Sequence, residues 1–175
     1  ATLTNSGTLT NDGTITNNSG DGDGTIHNVL GGIIENNNII ENFSSLINAG
    51  TIDNQGNISN NANKGNITNN GTITNDGTIT NNSLFGAIIN NDEITNNSSG
   101  IITNNDDITN NSTGTITNDG EINNSNGIFT NKGDINNNSS GTITNDGEIN
   151  NSNGIIQNYY IINNNPSGEI DNDNG

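Results

Sequence analysis

A six-residue unit, Gly-x-Ile-x-Asn-x, runs through the whole chain and leaves few folds open to it. Twenty-five copies can be placed, with their apolar residue running from Leu3 and Leu9 to Ile162 and Ile170. Every copy has Asn two residues after that position, from Asn5 to Asn172, and 19 of the 25 have Gly two residues before it. A longer identity sits on top of the unit: Thr115 to Gly127 reads TITNDGEINNSNG, and the same thirteen residues return at Thr142 to Gly154. The spacing is a period of two broken by turn residues. In a strand, residues i−2, i and i+2 share a face, so Gly, Ile and Asn point one way and the Thr, Asp or Glu between them point the other. Thr-Ile-Thr has high β propensity, and the Asn-Asp-Gly that follows suits turns because those residues tolerate φ > 0. No segment has a 3.6-residue period, so no long helix is expected.

One unit buries one aliphatic side chain and cannot fold alone. Stacked units bury a continuous column, which is the logic of a solenoid. The sequence therefore predicts an all-β parallel β-solenoid, a single domain over residues 1–175 with an irregular, apolar stretch at 27–49. In its more regular half the core column is Ile94, Ile102, Ile108, Ile116, Ile122, Phe129, Ile135, Ile143, Ile149 and Ile156. Beside it stand Asn96, Asn104, Asn110, Asn118, Asn124, Asn131, Asn137, Asn145 and Asn151. An amide offers two donors and an acceptor, and an unpartnered buried one costs about 1–3 kcal/mol. So many inward asparagines are tolerable only as satisfied ladders.

Coil length is read from the alternation of short and long units after Gly86. If like loops stack on like loops, two units make a coil of 13 to 14 residues. Coils of four units (27 residues) or three units are the alternatives. The strict six-residue spacing of Ile34, Ile40, Leu46, Ile52 and Ile58 suits a triangular coil. At ~4.8 Å per layer, thirteen two-unit coils would make a rod about 60 Å long.

The formal charge is −17, with 19 acidic residues against 2 basic ones. Nucleic acid and anionic membrane surfaces are bound through Lys and Arg, so neither is an expected partner. No apolar run approaches the ~18 residues of a membrane span, and no membrane insertion is expected. With no Cys and one His, His27, thiol chemistry and multi-histidine metal sites are excluded. Lys64 and Lys132 are the only basic side chains, too few to arrange a site for acidic sugars. No phosphate-cradling loop or nucleophile set is present, and no enzymatic role is expected.

Two-unit coils would place Glu93, Asp107, Glu121, Asp134 and Glu148 in one acidic column. Neighbouring carboxylates one layer apart repel by roughly 0.9 kcal/mol even at the dielectric of water. That makes the column a candidate metal site, calcium being the cation that favours such oxygen ligands; no other cofactor is expected. The opposite face would carry Thr-x-Thr pairs such as Thr2/Thr4, Thr72/Thr74, Thr115/Thr117 and Thr142/Thr144, interrupted by Ile101, Ile128 and Ile155. Stacked on a flat sheet, such pairs form a regular array of hydroxyls and methyls, the kind of surface that orders ice. Ile101, Ile128, Ile155, Phe85, Tyr159 and Tyr160, with Ser83 and Leu84 beside Phe85, are candidate lateral contacts. Sequons such as Asn57-Ile58-Ser59 and Asn97-Ser98-Ser99 permit glycosylation in a secreted chain.

The first residues, ATLTNSG, and the last, GEIDNDNG, are both in phase with the repeat and carry no evident cap. Either the chain is a segment of a longer repeat protein, or copies of it are the expected partners, stacked head to tail with side-by-side contact as a further option; a heterologous head-to-tail contact builds an open filament. The GTITNxGxI repeat resembles the stalk repeats of large prokaryotic surface proteins, in the manner of filamentous-haemagglutinin-type adhesins and surface-fibre β-solenoids. That resemblance implies an extracellular rod used for adhesion or filament building. The pattern is also similar, more weakly, to grass-type ice-binding β-rolls. A structural subunit of a surface filament or adhesin stalk is thus the leading expectation, with ice binding and a calcium-bridged surface-layer module as alternatives.

Overall fold

The computed structural model describes residues 1–18, 24–61, 65–82 and 85–173. They form 25 strands and no helix. Nearly all strands are four residues long and end on the repeat's Asn. The first coil is β1 (Thr2–Asn5), β2 (Thr8–Asn11) and β3 (Thr14–Asn17), and the last strands are β23 (Ile155–Asn158), β24 (Ile161–Asn164) and β25 (Glu169–Asp173). Every third strand pairs in parallel. Sheet A holds nine strands from β1 to β25, sheet B eight from β2 to β23, and sheet C eight from β3 to β24. The chain is thus a triangular parallel β-solenoid of about 8 coils, each of roughly 21 residues and three strands.

The expected solenoid is present, but its coil has three units, not the two that loop alternation suggested. The rod is correspondingly shorter, about 40 Å for eight layer steps of ~4.8 Å. The reason lies in the corners. A two-residue corner such as Asp119-Gly120 and a four-residue one such as Asn97 to Gly100 leave the preceding strand at the same Asn and end at the same place. Asn118 Nδ2 donates to Gly120 O at 3.2 Å, Asn124 to Gly127 O at 2.9 Å, Asn96 to Gly100 O at 3.0 Å and Asn60 to Gly65 O at 2.7 Å. Extra residues bulge outward and the core never registers them. Long corners then rest on short ones: Thr113 Oγ1 donates to Asn91 O and Ser140 Oγ to Asp119 O in the layer below.

Register is exact in the repeat's own terms. Ile116 lies between Ile94 and Ile135, and Asn118 between Asn96 and Asn137. The alternation of buried and outward residues follows the period of two in nearly every inner strand. All three sheets feed one apolar core, from Ile26 to Ile149, each residue at most 5% exposed. Phe129 takes an Ile place in sheet A between Ile108 and Ile149. Open space along the axis totals only about 20 Å³, lined by aliphatic side chains and Phe129 from Leu46 onward, far short of the ~300 Å³ of a ligand cavity. The interior thus has no cavity for a ligand. Residues 27–49, expected to be irregular, instead carry ordinary strands at Ile33–Asn36, Ile39–Asn42 and Ser45–Asn48. Their extra apolar groups sit outside the core, for example Leu30 on a corner and Ile33 on a face.

The corner glycines have a different cause from the one the sequence suggests. Among the described residues only Gly31 and Asn153 have positive φ. The others are glycine because adjacent layers approach too closely there for a side chain. A Cβ on Gly120 would run into the carbonyl oxygens of Asn97 and Gly100, whereas one on Gly13, in the first coil, would meet nothing. Gly120→Ala is expected to cost about 1–3 kcal/mol in urea unfolding. Gly13→Ala is expected to be neutral or mildly stabilising, because alanine narrows the unfolded ensemble. Equal losses at both positions would contradict the close-approach account.

Candidate functional surfaces

The most specific construction in the molecule is the asparagine ladder at each of the three corners. In sheet A it runs through Asn5, Asn28, Asn48, Asn69, Asn90, Asn110, Asn131, Asn151 and Asn172, each Nδ2 donating to the next Oδ1 at 2.7–2.9 Å. Sheet B has the same ladder from Asn11 to Asn158 at 2.7–2.8 Å. Sheet C has it from Asn17 to Asn164 at 2.7–3.0 Å. The donor always belongs to the earlier coil. A typical inner rung, Asn118, accepts from Asn96 and donates to Asn137 Oδ1 at 2.8 Å, with Gly120 O at 3.2 Å and Thr142 O at 3.3 Å also in reach. Inner rungs are fully buried, yet among the described residues no buried side-chain polar atom lacks a partner. All nine asparagines named from the sequence are rungs.

A second, outer set of amides runs the other way. Asn37 donates to Asp12 at 2.8 Å, Asn97 to Asp76 at 2.9 Å, Asn138 to Asp119 at 3.1 Å and Asn165 to Asp146 at 2.8 Å. Each of these four corner carboxylates thus sits under an amide. The sequence reading missed these pairs, since they join residues 19–25 apart and appear only once the coil length is known.

Three units per coil also redistribute the outward residues, and the expected acidic column does not form. Glu93 lies in sheet B between Thr72 and Thr115; Asp107 in sheet A between Ala87 and Ile128; Glu121 in sheet C between Ile101 and Thr142. Asp134 lies in sheet B between Thr115 and Ile155, and Glu148 in sheet A between Ile128 and Glu169. Only Glu148 has an acidic neighbour directly above or below. Advancing by three units while the pattern alternates by two sends successive acids to successive faces, and their mutual repulsion falls away without a counter-ion. Among the described residues no group of three acidic or histidine side chains is placed to hold a metal.

The same shift scatters the other candidates. Ile101, Ile128 and Ile155 face outward on sheets C, A and B respectively. Phe85 is 80% exposed on a corner between sheets C and A; Ser83 and Leu84 lie outside the described residues. Tyr159 and Tyr160 occupy a two-residue corner just after Ile155, all three exposed. No two Thr-x-Thr pairs occupy neighbouring layers of one sheet, so the array required of an ice-binding face is not assembled. His27 sits outward in sheet A between Thr4 and Ile47.

Asp106 is one of five corner ends that carry another residue in place of Gly, with Asn38, Ser44, Asp92 and Tyr160. Partial burial pushes its carboxyl above the usual range, the neighbouring Asp107 adds to this, and a hydrogen bond from Gly86 N–H partly opposes it. A carboxyl whose pKa is higher folded than unfolded opposes folding above that pKa, and the penalty fades as pH falls through it. Asp106→Asn should therefore melt above the parent at pH 7, with the gap closing on acidification; a gap that widens would refute the assignment. The ladder makes a larger prediction. Asn118→Asp removes the donors to Asn137 and Gly120 and buries a charge. A loss of about 3–5 kcal/mol at pH 7 is expected, read by urea unfolding, whereas Asn57→Asp on the exposed face should stay within about 0.5 kcal/mol.

No protein-family model, curated protein or solved structure matches the chain.

Proposed function

We propose that this chain is an extracellular structural element, a rod segment of a surface filament or adhesin stalk with a mechanical and non-catalytic role. One observation carries the reading: three unbroken amide ladders and a filled apolar core run through every coil with the same cross-section. Such a body transmits load and sets a distance. Its interior is too tightly packed to admit a ligand, and its faces vary from layer to layer and present no repeated array. Strong negative charge with the acids dispersed keeps such rods from sticking sideways at random. Immunogold labelling of the source cells tests the proposal. Gold on fibres or stalks at the cell surface is expected, and gold confined to the cytoplasm would overturn it.

A further inference from the structure

Fourteen asparagines stand in an Asn-x-Ser/Thr acceptor sequence, and the fold divides them by what each amide nitrogen already does. Six are inner rungs, such as Asn42 and Asn96, buried with Nδ2 held by the next coil. A sugar there would open the ladder. A chain so modified before folding could not fold, and a folded one does not offer the nitrogen. Five more face outward but already donate: Asn97 to Asp76 at 2.9 Å, Asn111 to Asn91 at 2.6 Å, Asn123 to Glu121 at 2.8 Å, Asn138 to Asp119 at 3.1 Å and Asn150 to Glu148 at 2.7 Å. At two of them the hydroxyl of the acceptor sequence is engaged as well, Thr113 with Asn91 O and Ser140 with Asp119 O. Those acceptor sequences serve contacts between layers. Asn57, Asn66 and Asn70 remain.

Asn57 and Asn66 begin strands on sheet faces, and Asn66 accepts from Ala87 N–H at 3.0 Å. Asn70 is exposed on a corner. Its Oδ1 accepts from Asn91 Nδ2 at 2.8 Å, which fixes the amide and leaves its own nitrogen on the side away from Asn91. Among the described residues that nitrogen has no partner. Beside it the edge of the rod steps inward. The corner from Val29 to Gly32 has four residues, whereas Ala49-Gly50, Asn70-Gly71 and Asn91-Asp92 above it have two each. The step leaves a recess of about 390 Å³ bordered by Leu30, Ile33, Asn70, Thr72 and Asp92, within the ~300–1,000 Å³ that small ligands occupy. Leu30 is 87% exposed and Ile33 38%, an aliphatic wall with nothing over it. We propose that Asn70 carries a neutral N-linked oligosaccharide whose first sugars lie in this recess, their C–H faces on Leu30 and Ile33. Burying that wall favours the seated position. Neutral sugars are specified because the recess holds the Asp92 carboxylate and no basic side chain. In the transfer, Asn70 Nδ2 bonds to the anomeric carbon of a sugar activated as a lipid-linked pyrophosphate. The anomeric C–O bond breaks, the pyrophosphate leaves with the electron pair, and one amide proton passes to a base of the transferring enzyme. The inference rests on the reading of the chain as an extracellular rod, since the exporting cell supplies donor and enzyme.

The protein isolated from its source cells, digested and analysed by mass spectrometry with fragmentation that keeps the sugar bond, tests the site. Neutral sugar mass on Asn70 is expected, lost in Asn70→Gln, with Asn97, Asn111 and Asn138 bare. A bare Asn70, or sugar on other asparagines in its place, overturns the inference. If such protein lies at the cell surface, the site falls and the rod reading stands; if it is confined to the cytoplasm, both fall. The seat has its own readout. Because Leu30 is so exposed, Leu30→Ser should keep the parent's circular dichroism spectrum. A peptide N-glycosidase should then release the oligosaccharide from the folded variant several-fold faster than from the folded parent. Equal rates would remove the seat on Leu30.

Discussion

The fold depends on what one asparagine side chain does at each corner. Its amide nitrogen reaches the next coil's amide oxygen, the carbonyl that ends its own corner and the first carbonyl of the strand above. Its oxygen accepts from the coil below. This one group fixes where a strand stops, how wide the corner is inside, and which residue lies above it. Because the partners are identical in every layer, hydrogen bonds that would be expensive to leave unmade in a buried setting become the element that sets register.

Two other features of the sequence follow from that constraint. The corner closes tightly inside, and at most corners the neighbouring layer's backbone lies where a Cβ would sit, so glycine is favoured there for space and not for a left-handed turn. The outside of the corner is under no such demand. It holds two, three, four or more residues, and the long corners fold down onto the short ones through Ser, Thr and Asn. The outer asparagines then donate to single corner aspartates, as Asn97 does to Asp76 and Asn138 to Asp119. A chain with 19 acidic groups and 2 basic ones can stack its coils because few of those acids are in line.

The surface is correspondingly uneven. Its Thr pairs, acids and exposed Ile residues are each divided among three sheets, so a face-based function such as ice binding or calcium bridging has no column to use. What recurs in every layer is the interior and the axial contact between coils. The part of the molecule with a uniform design is the part that makes a rod, and the proposal about its role is built on it.

Sequence by itself determined the solenoid. Ile at one phase and Asn two residues later, held through every unit, define an inward face, a core column and a ladder without knowledge of any other residue. It did not determine how many units close a coil. Loop lengths imply two, because stacking like loops on like loops sets the extra residues of Asn97 to Gly100 beneath another long loop. The even spacing from Ile34 to Ile58 is the signal for three, and it covers only five units. Only the tertiary structure decided, since the amide ladder closes every corner on the same inner carbonyl and makes loop length irrelevant to stacking. From that one integer follow the faces on which Glu93, Asp107 and Glu121 lie: which outward residues become neighbours depends on the coil's closure, and the closure is made by contacts between residues about 21 apart in the chain.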